Sequence, residues 1–204
     1  MIVKDLGLVD YQPVFEQMQA FTAQRDNNTE DELWLLEHNA VFTQGTNGKA
    51  EHILNSNTIP IVQTDRGGQV TYHGAGQLIA YTLFDLKRLG IGVREMVTRL
   101  ENSVIAVLAE LDINAHARVD APGVYVDDKK IAALGLRVKH GKCYHGLSLN
   151  IDIDLTPFSM INPCGYQGLE VIDIKSLGHD LTMAQAKQHI VSALNAQMNS
   201  DKSM

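Results

Sequence analysis

Apolar residues recur at helical spacing in three stretches, and between the first and last of these they fall in strand-length runs broken by Gly, Asn and Asp. Val14, Phe15, Met18 and Phe21 form one apolar stripe over 11–24, which Arg25-Asp26-Asn27-Asn28 stops. A longer stripe of Val93, Met96, Val97, Leu100, Val104, Leu108 and Leu111 predicts a helix over 93–111. The last helix is expected over 183–198, with Thr182 as its N-cap and Gln185 placed to complete a capping box. Strands are expected at 32–37, 40–43, 59–63, 70–73 and 77–84, the last two split by Gly74-Ala75-Gly76. A meander follows, with strands at 123–126, 130–138 and 144–153 and turns at Asp127-Asp128 and His140-Gly141-Lys142. Strands gathered between helical regions predict an α+β fold over a doubly wound sheet.

The 204 residues are 45% hydrophobic and 20% charged, enough for one core, so a single domain over 1–204 is expected, with the last few residues a flexible tail. Two cysteines, Cys143 and Cys164, and no basic, apolar leader at Met1 to Gly7 point to the reducing cytoplasm. No run of about 18 apolar residues offers a spanning helix. A formal charge of −7 disfavours nucleic acid as a partner. The eight histidines and two cysteines show no metal-ligand spacing, and neither phosphate-binding glycine pattern is present.

Candidate chemistry enters with Cys164, in the turn-forming segment Asn162-Pro163-Cys164-Gly165-Tyr166-Gln167-Gly168. An ordinary thiol is only about 3% ionised at neutral pH, so a nucleophilic cysteine needs a basic or cationic neighbour. Lys130 is the candidate, because strand alternation sets it apart from Lys129 and burial beside Ile131-Ala132-Ala133-Leu134 lowers a lysine's hold on its proton. The glycines of Arg66-Gly67-Gly68 and Gly74-Ala75-Gly76 suit a pocket wall, and His73 and His145 are further polar candidates. Plainer readings stand beside these: a buried apolar cysteine, an edge-strand lysine that blocks aggregation, tight turns and structural histidines.

Four segments in order carry a resemblance over nearly the whole chain: Arg66 to Gln77 (RGGQVTYHGAGQ), Ala121 to Val126 (APGVYV), Lys130 to Gly135 (KIAALG) and Asn162 to Gly165 (NPCG). The chain resembles the octanoyltransferases of lipoate biosynthesis. The resemblance implies a mixed sheet packed by helices, similar to lipoate and biotin protein ligases and the class II aminoacyl-tRNA synthetase core. It implies Cys164 and Lys130 as catalytic residues and an octanoyl or lipoyl group carried as a cysteine thioester. Acyl contacts are then expected at Arg66, Gly67, Gly68, Gln69, Val70, Thr71, Tyr72 and His73, at Ala133, Leu134 and Gly135, and at Gly146, Leu147 and Ser148. The implied donor is octanoyl-acyl carrier protein, and the acceptors are lysines of lipoyl domains (glycine cleavage H protein, 2-oxoacid dehydrogenase E2). No cofactor, metal, nucleic acid or membrane is expected. Two other readings remain: an ATP-dependent lipoate or biotin ligase, and a non-catalytic lipoyl-domain-binding module. An acidic carrier needs a basic landing site, for which Lys129, Arg137, Lys139 and Lys142 form one group in sequence and Lys87, Arg88 and Arg94 another.

Overall fold

The computed structural model describes residues 1–199, so the expected C-terminal tail lies outside the described residues. A seven-stranded sheet runs in the order β1-β2-β6-β10-β9-β8-β7, made of β1 (Ile2–Val9), β2 (Glu32–His38), β6 (Gln77–Leu83), β7 (His116–Ala117), β8 (Val124–Val126), β9 (Lys129–Lys139) and β10 (Lys142–Asn150). A three-stranded sheet has the order β4-β3-β5, with β3 (Val41–Gln44), β4 (Ile61–Gln63) and β5 (Val70–His73). The large sheet is mixed: β1 lies parallel to β2, and the other neighbours are antiparallel.

The interior strands β2 and β6 each carry a continuous apolar run, at 33–36 and 78–81, because both faces of the sheet are covered there. Leu33, Leu35, Leu78 and Ala80 face the core under α3 (Val93–Ala109) and α4 (Met183–Asn199). Their neighbours Trp34, Leu36, Ile79 and Tyr81 point to the opposite face, where α1 (Tyr11–Gln24) brings Tyr11, Phe15 and Met18. Alternation therefore sends one strand into two cores. A third cluster, with Phe42, Val70, Tyr72, Phe158 and Ile161, backs the small sheet.

The meander forms as expected, its two turns taking left-handed angles at Asp127 and Asp128 and at His140 and Gly141. The expected capping box is present, with Gln185 N–H donating to Thr182 Oγ1 (3.3 Å) and Thr182 N–H to Gln185 Oε1 (3.0 Å). The stripe of α3 is offset: Val93 is exposed, and the helix buries Met96, Leu100, Val104, Val107 and Leu108.

Three features differ from the sequence pattern. The strand β1 was not visible, because Ile-Val-Lys-Asp-Leu-Gly-Leu-Val neither alternates nor forms a buried run; its pairing with β2 makes it a strand. The short helix α2 (Leu86–Leu89), capped by Asp85 and ended at Gly90, also went unseen. The strands β5 and β6 are close in sequence but belong to different sheets, so the Gly74-Ala75-Gly76 break is a crossing point and no hairpin forms there.

Candidate active site

A cleft holding about 480 Å³ of empty space out to its mouth opens between the two sheets. One wall is the loop 66–69 and β5, the other is Ala133, Leu134 and Gly135 of β9 with Gly146, Leu147 and Ser148 of β10. Tyr11, Ile79, Tyr81 and His145 close it further in, and Cys164 stands at its edge. A smaller cavity continues from Cys164 past Lys130, Ala132, Asn150 and Val171.

Cys164 sits in a single 3₁₀ turn, Pro163–Gly165, with φ 56°. That left-handed angle is uncommon for a side chain with a Cβ, and it turns Sγ toward β9. Gly165 follows at φ 80°, and a Cβ there would meet the Gln69 amide at 2.0 Å. Asn162 N–H donates to His52 O (2.8 Å) and fixes the near end of the loop. The far end is fixed by Lys130 itself, whose N–H donates to Glu170 O (2.9 Å) and whose carbonyl accepts from Ile172 N–H (3.0 Å).

Lys130 is 3% exposed, and its Nζ lies 3.2 Å from Cys164 Sγ and 3.2 Å from Pro122 O. The ammonium also stands 5.3 Å above the Tyr125 ring, a favourable cation–π distance. Glu101, reaching from α3, accepts from Gly123 N–H (3.0 Å) and so holds the segment that carries Pro122. Burial alone would lower the pKa of Lys130, as the sequence suggested. The sulfur of Cys164 and the Tyr125 phenol outweigh it, and the net shift is upward. Lys130 thus holds its proton beside the sulfur.

Arg66 is buried, yet every partner is a neutral oxygen: Thr43 O (2.6 Å), Gln69 O (2.7 Å), Gly67 O (3.0 Å) and Thr43 Oγ1 (2.9 Å). Its guanidinium moulds the 66–69 loop and lends positive potential to the cleft. Behind it, Asp65 accepts from His145 Nε2 (3.0 Å), Tyr144 and Gln19; these bonds outweigh its burial and bring its pKa down to about 2.

Of the expected acyl contacts, Arg66, Gly68, Gln69, Thr71 and His73 line the cleft together with Ala133, Leu134, Gly135, Gly146, Leu147 and Ser148. Gly67, Val70 and Tyr72 do not. Alternation along β5 aims Thr71 and His73 at the cleft and turns Val70 and Tyr72 into the third cluster, while Gly67 N–H ties the loop to Leu136 O (2.9 Å). Gly146 is glycine for a packing reason, since a Cβ there would lie 2.0 Å from Ala80 O. The sequence pattern missed Tyr11, Ile79 and Tyr81 because they read as core in an apolar helix and strand. Cys143 is remote from this chemistry: it is buried in the large core, donates to Thr82 O (3.3 Å), and burial pushes its pKa up to about 11. The two basic groups partly meet, the Lys87 stem lying against Gly141 at the β9–β10 turn, but that tip is about 30 Å along β9 from Lys130. Lys129 and Arg88 are each engaged by an acid, Glu170 and Asp31. Among the described residues no helix is long and apolar enough to cross a membrane.

The two-sheet fold is that of the lipoate and biotin protein ligases. It superposes on the crystal structure of lipoate-protein ligase A bound with ATP with a TM-score of 0.79, covering 98% of this chain and 86% of the ligase at 15% identity. Against biotin protein ligase from Aquifex aeolicus the TM-score is 0.62, covering 99% of this chain and 70% of that one at 13% identity. Those identities speak for the fold alone. The chain belongs to the lipoyl protein ligase A/B catalytic domain family, which matches residues 10–195, and its relatives there are octanoyltransferases. The octanoyltransferase of Chromobacterium violaceum is 57% identical over 201 residues, covering 98% of this chain and 97% of the relative. That of a Marinomonas species is 55% identical over 198 residues, covering 97% and 92%.

Proposed function

We propose that this protein is an octanoyltransferase, a single catalytic domain that carries the acyl group on Cys164. The observation that carries the mechanism is the 3.2 Å contact between Lys130 Nζ and Cys164 Sγ at the edge of the cleft. The donor is octanoyl-acyl carrier protein, the acceptor is a lysine of a lipoyl domain such as the H protein or an E2 subunit, and the enzyme works in the cytoplasm. A lipoyl group travels by the same route.

In the first step the Cys164 thiolate attacks the donor thioester carbonyl. The carrier thiolate leaves and takes the proton that Lys130 holds, so the products are acyl-Cys164, a carrier thiol and a neutral Lys130. Thioester exchange is nearly balanced in free energy and uses no ATP. Acylation also removes the sulfur's charge, the main influence holding Lys130 protonated, and leaves burial to favour the neutral amine. In the second step the neutral acceptor amine attacks acyl-Cys164, Lys130 takes the proton released, and the thiolate departs into its original pairing. One lysine thus serves as acid and then as base.

The carbonyl oxygen needs a donor while it carries charge. Along β9 the backbone of Lys130 faces away from β10, as its bonds to 170–172 require, and so do the even positions after it. Leu134 N–H therefore opens toward the cleft side, whereas Gly135 N–H faces Gly146.

Incubation with octanoyl-acyl carrier protein and an apo lipoyl domain, with and without ATP, tests this reading. Transfer without ATP, and a mass increase of one octanoyl group on Cys164 when the acceptor is withheld, are expected. Transfer only with ATP would instead assign an adenylate-forming ligase, a reading the shared fold keeps in view.

A further inference from the structure

The β9–β10 ladder ends at the pair Ala132–Leu149, just short of Lys130 on one strand and of Asn150 on the other. Beyond it the two strands are joined through the segment that closes the Cys164 loop. Lys130 is bonded to Glu170 and Ile172 and pairs in parallel with Val171, while Asn150 O accepts from Ile174 N–H (3.1 Å) and Ile151 O from Lys175 N–H (3.0 Å). The Asn150 side chain adds the bond that connects these two sets: its Nδ2 donates to Ile172 O at 3.0 Å. Ile172 is thus held at both polar groups, its N–H by Lys130 O and its carbonyl by Asn150.

The Asn150 amide has one permitted orientation. Ile172 O only accepts, so the amide nitrogen faces it and Oδ1 faces Gln77, the cross-strand partner on β6. Oδ1 accepts from Gln77 Nε2 (2.8 Å), which leaves Gln77 Oε1 to accept from His73 Nδ1 (2.7 Å). That ring nitrogen therefore carries the proton. The bare Nε2 accepts from the Thr43 hydroxyl (3.2 Å), which in turn accepts from Arg66 Nε (3.2 Å) and Nη2 (2.9 Å). The chain begins at a guanidinium, which can only donate, and ends at a carbonyl, which can only accept, so its direction is unique. All five side chains are buried, where a broken link leaves polar atoms without water. The chain runs from the wall of the acyl cleft to the backbone beside Lys130.

The geometry points to Asn150 as a positioning residue for acyl transfer: its amide fixes Ile172, and through Ile172 the place at which Lys130 meets Cys164, while Gln77 and His73 keep that amide in its orientation. This rests on the acyl-transfer reading above and adds a residue to its machinery. Asn150 acts here through the backbone and without touching the reacting atoms. The Lys130–Cys164 contact is a single 3.2 Å approach between two elements, and a displacement of about 1 Å in either is enough to slow a reaction on the order of 100-fold.

The test uses Asn150→Ala and Gln77→Met. It follows single-turnover formation of acyl-Cys164 from octanoyl-pantetheine, the pH profile of Cys164 alkylation, and Tm. Asn150→Ala should slow acylation at saturating donor on the order of 10-fold, with the half-saturating donor concentration within about threefold of wild type. It should also move the alkylation profile to higher pH, as the ammonium drifts from the sulfur. Gln77→Met leaves Asn150 in place and only frees its amide to turn, so it should act in the same direction by about threefold. The two together should be no worse than Asn150→Ala, because they break one chain. A lower Tm with unchanged rate and unmoved profile overturns the inference, since that is all a merely structural amide would give. An unchanged rate and profile in Gln77→Met does so even where Asn150→Ala fails to fold. A wild type that forms no adduct is instead a failure of the acyl-transfer reading. The alkylation profile needs no acyl donor, so it then still decides whether Asn150 positions Lys130.

Discussion

Lys129 and Lys130 are adjacent in sequence and do opposite things. Lys130 Nζ reaches Cys164 Sγ at 3.2 Å from a buried position, whereas Lys129 Nζ stands in the open against Glu170 Oε2 at 2.7 Å. The pleat of β9 separates them, and the difference is directly testable. Lys130→Ala should lose at least about 100-fold in acyl transfer, the usual scale for a general acid–base group. Lys129→Ala should stay within about threefold, since exposed ion pairs contribute little. Lys130→Arg should fail as well, because a guanidinium keeps its proton. Single-turnover acylation and deacylation decide it; near-normal deacylation in Lys130→Arg would remove the proton-shuttle role.

The two thiols should separate as cleanly. Cys164→Ala should abolish the acyl adduct and turnover with little change in Tm. Cys143→Ala should keep activity and lose about 1 kcal/mol of stability from the core it helps fill. Thiol titration of the native protein should find Cys164 first, since burial keeps the Cys143 thiol protonated well above neutral pH. Faster labelling of Cys143 would contradict the placement of both.

Glu101 has no contact with sulfur, yet it should matter through Gly123. Glu101→Gln keeps an acceptor for that N–H and should retain most activity. Glu101→Ala leaves it unpaired beneath the Pro122 carbonyl that steadies Lys130, and should lower kcat by roughly 10-fold with KM less affected. Equal damage from both substitutions would mean that charge, rather than the hydrogen bond, is what Glu101 supplies.

Acid should weaken the fold well before the carboxylates titrate. Burial pushes His38 down to about 4 and His73 down to about 3, while both return to about 6.5 when the chain unfolds. Between those values the unfolded chain binds more protons, so stability is fully present above about pH 6.5 and falls as pH drops toward 4, by at most about 1.4 kcal/mol per pH unit for each histidine. Urea midpoints measured from about pH 7 to 5 should decline steadily, and His73→Gln should flatten the decline. A flat profile in the wild type would show that these rings already carry a proton in the fold.

Much of this was legible in the primary structure, for reasons that differ from place to place. The helices α1, α3 and α4 announce themselves because one face of each is apolar at the helical period. The meander does so because its two turns need left-handed residues and have them at Asp127-Asp128 and His140-Gly141. The Cys164 loop stands out through its proline and glycines. What sequence could not give is orientation. Nothing local says that Val70 and Tyr72 turn away from the cleft while Thr71 and His73 turn in, because that depends on which sheet owns β5. Nor does burial alone predict the net shift of Lys130, which is decided by a sulfur 34 residues further on.

That distance has a consequence for the life of the chain before it is finished. The loop bearing Cys164 is fastened at its far end to the backbone of Lys130, through Glu170 and Ile172, so sulfur and ammonium meet only when β9 and the loop are both in place. On the proposed mechanism, a copy in which either element is out of place would carry an unassisted thiol. The tether would then make assembly of the strand and loop a precondition for pairing the two side chains.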